Sequence, residues 1–168
     1  MKIKIYQNFI DNEYCDVLKN WIFKNKNLSF FSDANMNGKR VTTRYSKENI
    51  VFPQEAFEIK NKIINHLNLK FFKHAPFIHG MYASIAFKND DCYLHKDPRH
   101  YNNHITLHCN LKLNDTVGGD ILVEDQVYKL NKGDLWVYPT SEINHGSNKL
   151  ISDNRLIWVY GFCLYANR

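Results

Sequence analysis

His95, Asp97, His145 and Arg155 are the residues whose types and order could do chemistry. His95 and Asp97 form an H-x-D pair just after an aromatic-rich, strand-like run. Two imidazoles and one carboxylate are the donor set of a non-haem Fe(II) site that leaves coordination positions open. Side chains in a strand alternate with a period of two, so an H-x-D pair in a strand is expected to present both ligands on one face. His145 follows a predicted strand ending at Tyr138-Pro139, and is expected to return to the same mouth as third ligand. Isolated H-x-D pairs are common on surfaces. The ordered set with Gly118-Gly119, Gly133-Asp134, His145 and Arg155 is much rarer.

Arg155 opens the last predicted strand. Its plain reading is a surface cation. A strand-borne Arg inside a barrel, however, needs an anion, because an unpaired buried charge is costly. The C5 carboxylate of 2-oxoglutarate would meet it with a bidentate pair.

The elements that must position these residues can be read from pattern. The N-terminal segment alternates Lys with β-branched residues and reads as a strand. Asp11 is a plausible N-cap, and Tyr14, Val17, Leu18, Trp21 and Ile22 have helical spacing, predicting a helix over 12–24. Residues 30–44 are polar and Gly-containing, and are expected to form a loop or hairpin over a site mouth. Pro53 suits the first turn of a second helix. Its buried stripe would be Phe57, Ile59, Ile63, Ile64 and Leu67, ending near Asn68. Thereafter 77–87, 93–95, 104–113, 119–124, 126–130, 134–138 and 156–164 read as strands separated by turn signals. Seven or eight short strands after two helices predict a mainly β fold, a double-sheet jelly roll with buttressing helices. A single domain over 1–168 is expected, with 1–75 as N-terminal strand and helical support and 77–168 as the jelly-roll core.

Gly118-Gly119-Asp120-Ile121-Leu122-Val123, Leu130-Asn131-Lys132-Gly133-Asp134-Leu135, His145 and Arg155 together resemble the Fe(II)/2-oxoglutarate-dependent oxygenase superfamily. The nearest likeness is to its prolyl-4-hydroxylase-like branch, and the opening Tyr6 to Cys15 is similar to that branch's strand-then-helix start. The resemblance covers nearly the whole chain, but only the metal and Arg motifs are specific. It implies a cupin-like double-stranded β-helix in which His95, Asp97 and His145 bind Fe(II) and Arg155 binds 2-oxoglutarate. It also implies a dioxygenase that uses O2 to hydroxylate an unactivated C–H bond, releasing succinate and CO2. The expected substrate, from the resemblance alone, is a prolyl or amino-acid residue, a peptide or a small molecule.

Departures from the pattern redirect attention. Many members carry Ser or Thr two residues after the Arg, where this chain has Ile157. Tyr82, Thr106, His108 and Asn110 are candidates for that second cosubstrate contact, with Tyr82 and Asn110 ranked first. Arg44, Tyr45 and Arg99 could contact a substrate carboxylate, with surface roles as the alternative. His100 and His104 are expected in ordinary loop or strand roles, His66, His74 and His79 lie outside the motif region, and Trp136 and Trp158 are expected in the core. Asn89-Asp90-Asp91 is faintly similar to the nucleic-acid dealkylase branch. That branch has a second Arg where this chain has Gly161, so nucleic-acid demethylation stays an alternative reading. A metal-keeping jelly-roll binding module without oxidation is the other.

Bulk properties set the frame. Net charge is +5, much of it scattered Lys, which suits a solvated surface better than a nucleic-acid groove. Cys15, Cys92, Cys109 and Cys163 form no C-x-x-C motif and follow no secretory signal, so reduced, buried thiols in a cytoplasmic protein are expected. No long apolar run suggests a membrane span. The oligomeric state is not legible. The Asn/Lys-rich composition points to an AT-rich genome, viral or bacterial.

Overall fold

The structure is a computed structural model and describes residues 2–26, 31–33, 40–43, 51–69, 81–99 and 103–165. Arg44, Tyr45, His74, His79 and His100, and the first residues of the strand expected from 77, lie outside that set.

Helix α1 (Asn12–Asn25) starts where expected, because the Asp11 carboxylate accepts the Tyr14 N–H at 3.1 Å. It buries Cys15, Leu18 and Ile22, one stripe of a 3.6-residue period. Helix α2 (Gln54–Leu67) is preceded by Pro53 as an extended N-cap, just outside the first turn rather than within it. Asn68 closes the helix in the left-handed conformation (φ 48°). Ala56, Ile59 and Ile63 form the buried stripe of α2. Phe57, expected there, is 42% exposed, because one residue past Ala56 is a 100° rotation away from the core.

Among the described residues, eleven strands make two antiparallel sheets. The larger contains β1 (Lys4–Tyr6), β2 (Phe31–Asp33), β3 (Arg40–Thr43), β4 (Met81–Phe87), β6 (His104–Lys112), β9 (Leu135–Pro139) and β11 (Asn154–Tyr165). Its order is β1-β9-β6-β11-β4-β3-β2. The smaller contains β5 (Cys92–His95), β7 (Ile121–Val123), β8 (Gln126–Tyr128) and β10 (His145–Ser147), in the order β5-β10-β7-β8. This is a jelly roll with helices on one face. The expected hairpin within 30–44 is present as β2 paired with β3, and β3 extends the large sheet through β4. Strand β10 was not expected. Its three residues, His-Gly-Ser, carry neither alternation nor β-branched side chains.

The central strands of the large sheet are buried on both faces, and the period of two sorts their residues. Leu156, Trp158, Tyr160 and Phe162 of β11, with Leu107, Cys109 and Leu111 of β6, pack against the helices. Ile157 and Val159 of β11, with Trp136 and Tyr138 of β9, pack toward Ile121 and Val123 of the small sheet. Trp158 is core, as expected, and Trp136 faces the other side.

All four cysteines are buried and none is in a disulfide. Burial pushes the Cys15 thiol up to about 11 and raises those of Cys109 and Cys163. No helix among the described residues is long and apolar enough to cross a membrane.

Trp158 is fully buried and meets the rings of Trp21 and Phe52 edge-on at 5.4 and 5.5 Å. It therefore ties α1 to the sheet. Trp158→Ala is expected to remove about 3–5 kcal/mol of stability, read as a lowered midpoint in urea unfolding.

Candidate metal and anion site

Between the sheets lies a cavity of about 140 Å3. The large sheet contributes Tyr82 and Ser84, His108 and Asn110, Trp136 and Tyr138, and Arg155, Ile157 and Val159 to its wall. These are the side chains that period-two alternation turns away from the helices. The small sheet contributes Cys92, His95, Ile121 and His145 to Ser147, and Asp97 completes one end.

At that end His95, Asp97 and His145 place one donor atom each within 4.8 Å of one another. Asp97 Oδ1 stands 3.5 Å from His95 Nε2 and 3.9 Å from His145 Nε2. The two imidazoles are oriented alike. His95 Nδ1 is 3.0 Å from the Tyr93 carbonyl and His145 Nδ1 is 3.3 Å from the Ile143 carbonyl. An Nδ1–H donated to a carbonyl leaves the Nε2 lone pair for a metal, the usual outer support of ligating histidines. Burial lowers the His145 pKa against the opposing pull of Asp97, favouring the neutral, ligating form. Three N/N/O donors on one side of an open cavity fit a divalent transition metal.

The three ligands come from unlike positions. His95 ends β5 and His145 begins β10, and the two are register partners in the small sheet. Asp97 lies beyond the end of β5, so the H-x-D pair is not a strand pair as expected. The β5–β10 ladder stops at His95, and the Asp97 N–H turns instead to the Thr140 carbonyl at 2.9 Å. The other oxygen of Asp97, Oδ2, faces His108 Nδ1 at 3.7 Å.

Arg155 is 3% exposed. Its Nη1 donates to the Gly119 carbonyl, and its Nη2 lies 3.5 Å from the Ser147 hydroxyl. A Cβ on Gly119 would come within 3.3 Å of Arg155 Cδ and 3.4 Å of Nη1, and φ there is +68°. The Gly118-Gly119 turn thus makes room for the guanidinium as well as reversing the chain.

Tyr82 and Asn110 both line the cavity, on one cross-strand row through Val159 to Trp136. His108 lines it too. Thr106 does not: its N–H donates to the Ser141 hydroxyl and its own hydroxyl to the Pro98 carbonyl. Arg99 is also outside the cavity wall, paired with Glu142 through Nε (2.9 Å) and Nη2 (2.7 Å). Trp136, expected in the core, is buried but walls the cavity, because its parity on β9 is opposite to that of Leu135 and Val137.

Lys112, Ser147 and Gly146 were not among the sequence candidates. Lys112 continues the inward series Thr106, His108, Asn110 on β6 and is 5% exposed. Its Nζ donates to the Leu130 carbonyl at 2.6 Å. Burial, then the positive charge of Arg155, lower its pKa. The signal for Lys112 was available, since a polar residue at every second place from 106 marks one face. Ser147 and Gly146 sit on the strand that pattern could not reveal.

No protein-family profile and no curated protein matches this chain. Solved structures do match it. The viral collagen prolyl hydroxylase of Paramecium Bursaria Chlorella virus-1, in complex with 2OG, superposes with a TM-score of 0.68 at 15% identity, over 99% of this chain and 97% of that one. A Trichoplax adhaerens prolyl hydroxylase in complex with a hypoxia inducible factor peptide fragment gives 0.69 at 12% identity, over 95% and 83%. HygX from Streptomyces hygroscopicus, with nickel, 2-oxoglutarate and hygromycin B bound, gives 0.63 at 8% identity, over 95% and 82%. The chain therefore has the fold of these proteins across nearly its whole length.

Gly146 separates two cavity-facing residues of β10. A Cβ there would meet the Cys92 carbonyl oxygen at 2.4 Å and the Tyr93 carbonyl oxygen at 3.0 Å. Backbone cannot swing aside as a side chain can, so β10 would have to move from β5, parting His145 from His95. Gly146→Ala is expected to weaken Co(II) binding about tenfold or more in calorimetric titration.

Proposed function

We propose that this protein is an Fe(II)- and 2-oxoglutarate-dependent dioxygenase that hydroxylates an unactivated C–H bond. The observation that carries the reading is a single cavity walled at one end by His95, Asp97 and His145 and elsewhere by buried Arg155. A metal site alone would serve a binding module. A buried guanidinium in the wall of the same cavity suits an anionic cosubstrate as well. The likeness in fold to proteins whose structures contain 2-oxoglutarate supports the same reading.

In this reading His95 Nε2, His145 Nε2 and Asp97 Oδ1 hold Fe(II), and three donors leave positions open. Bound iron, with 2-oxoglutarate and O2, supplies the oxidising power for C–H hydroxylation, with succinate and CO2 as the other products. Arg155 takes the C5 carboxylate of 2-oxoglutarate, with Tyr82 or Asn110 of the same cavity wall in place of the hydroxyl that Ile157 cannot supply. Tyr82 and Asn110 line its path. Tyr138, whose phenol burial holds well above its usual pKa, is a neutral wall beside His145, with ring centroids 5.0 Å apart. Arg155, held by the Gly119 carbonyl, would orient the cosubstrate in the cavity.

The substrate we favour is an amino-acid residue in a peptide, prolyl first, or a small molecule. Two neighbours of the same fold are bound to a peptide fragment and to hygromycin B, which supports those two classes. Gly161, where a second Arg would mark the nucleic-acid dealkylases, speaks against a nucleic-acid substrate.

Fe(II) and 2-oxoglutarate added to the metal-free protein without oxygen are expected to give the weak visible charge-transfer band of the chelate. His95→Ala should abolish that band. A folded parent protein with no band would overturn the oxygenase reading. His145→Ala is expected to abolish succinate formation, and full retention would remove it from the ligand set. Arg155→Ala should raise the 2-oxoglutarate requirement roughly 10–100-fold, the loss of a charge-assisted pair, with the melting temperature little changed. An unchanged requirement would place the anchor elsewhere.

A further inference from the structure

Asp97 poses a problem that the sheets do not solve. A ligand on a strand is held by its ladder, but Asp97 lies past the end of β5 and before the start of β6. The segment Asp97-Pro98-Arg99 is instead strapped, tie by tie, to the segment Thr140-Ser141-Glu142 between β9 and β10. The Asp97 N–H donates to the Thr140 carbonyl at 2.9 Å. The Thr106 hydroxyl donates to the Pro98 carbonyl at 3.4 Å, and the Thr106 N–H donates to the Ser141 hydroxyl at 3.0 Å. The Ser141 hydroxyl in turn donates to Glu142 Oε1 at 3.0 Å. Arg99 closes the strap with a fork onto the same carboxylate, Nε to Oε1 at 2.9 Å and Nη2 to Oε2 at 2.7 Å.

The far side of the strap leads directly to the other ligand. The Glu142 and Ile143 N–H groups turn back onto the Pro139 carbonyl at 2.9 and 3.2 Å, and the Ile143 carbonyl is the group 3.3 Å from His145 Nδ1. The Arg99–Glu142 fork therefore joins the loop that presents Asp97 to the loop that orients His145. We propose that Arg99 and Glu142 are positioning residues that set the distance between these two metal ligands, an inference that rests on the metal-site reading above.

The physical case turns on geometry rather than on stability. The two side chains are 43% and 29% exposed, and ion pairs of that kind contribute little to folding. A two-point fork fixes direction as well as distance, however, and metal donors tolerate displacements of only about 0.5 Å. Loss of the pair should thus leave the melting temperature nearly unchanged and loosen the metal, the reverse of a purely structural pair.

The test is calorimetric titration of the metal-free full chain with Co(II), beside thermal melting without metal. Arg99→Ala and Glu142→Ala are each expected to weaken Co(II) binding about tenfold or more with little change in melting. Arg99→Lys keeps the charge without the fork and should fall between. The exchanged pair, Arg99→Glu with Glu142→Arg, should recover most of the affinity. Parent-like affinity in both Ala variants, within twofold, would overturn the proposal while leaving the metal site standing. If an Ala variant melts early, the exchanged pair decides: recovered affinity supports the strap, and none overturns it. A parent that takes up no Co(II), or takes it up equally after His95→Ala, would overturn the metal site and this inference with it.

Discussion

Burial of the central strands of the large sheet on both faces is the constraint from which the rest follows. Along the middle of β6, β9 and β11 successive residues alternate between the helix-facing core and the cavity side. The period of two makes that division strict, because a register slip of one residue would exchange the two sets. Leu107, Cys109 and Leu111 then supply packing, while His108, Asn110 and Lys112 supply polarity. Polar groups this deeply buried are costly without partners: Lys112 meets the Leu130 carbonyl, while His108 and Asn110 face the cavity.

The small sheet works differently. Besides the packing of Ile121 and Val123, it brings two imidazoles together. The pairing of His95 with His145 sets the rings 4.4 Å apart by centroid, and the backbone carbonyls two residues before each hold their Nδ1 atoms, leaving Nε2 toward Asp97. The close approach of Gly146 to the β5 backbone is what permits that pairing. Asp97 adds the negative charge from outside both sheets, with one oxygen toward the imidazoles of the site and the other toward His108. Such a donor set depends on two ladders and one loop, so it is sensitive to anything that shifts one of them against the others.

Charge is also separated along the cavity. The carboxylate of Asp97 sits beside the two imidazoles and Arg155 stands elsewhere in the wall, while burial first and then the Arg155 charge lower the pKa of the neighbouring Lys112. Both cations are anchored on carbonyl oxygens, those of Gly119 and Leu130, which hold position without neutralising charge. An anion entering the cavity would therefore meet a pre-oriented positive end, with little rearrangement left to make.

Much of this was legible in the chain. Residue types and order picked out His95, Asp97, His145 and Arg155; the Asp11 cap and helical spacing marked α1; alternation marked β4, β6, β9 and β11. These are local properties, and local periodicity suffices to reveal them. Strand β10 was invisible because three residues carry no period. The role of Gly146 was invisible because it depends on a neighbour more than fifty positions away. Lys112 was legible by parity and overlooked, and Arg99, outwardly a free cation near the H-x-D pair, has its partner Glu142 in a distant segment. The amino-acid sequence by itself determined which chemistry is available and which strand faces can carry it. The tertiary structure alone decided how three ligands from two strands and a loop meet around one point, because long-range pairing and side-chain reach leave no local trace.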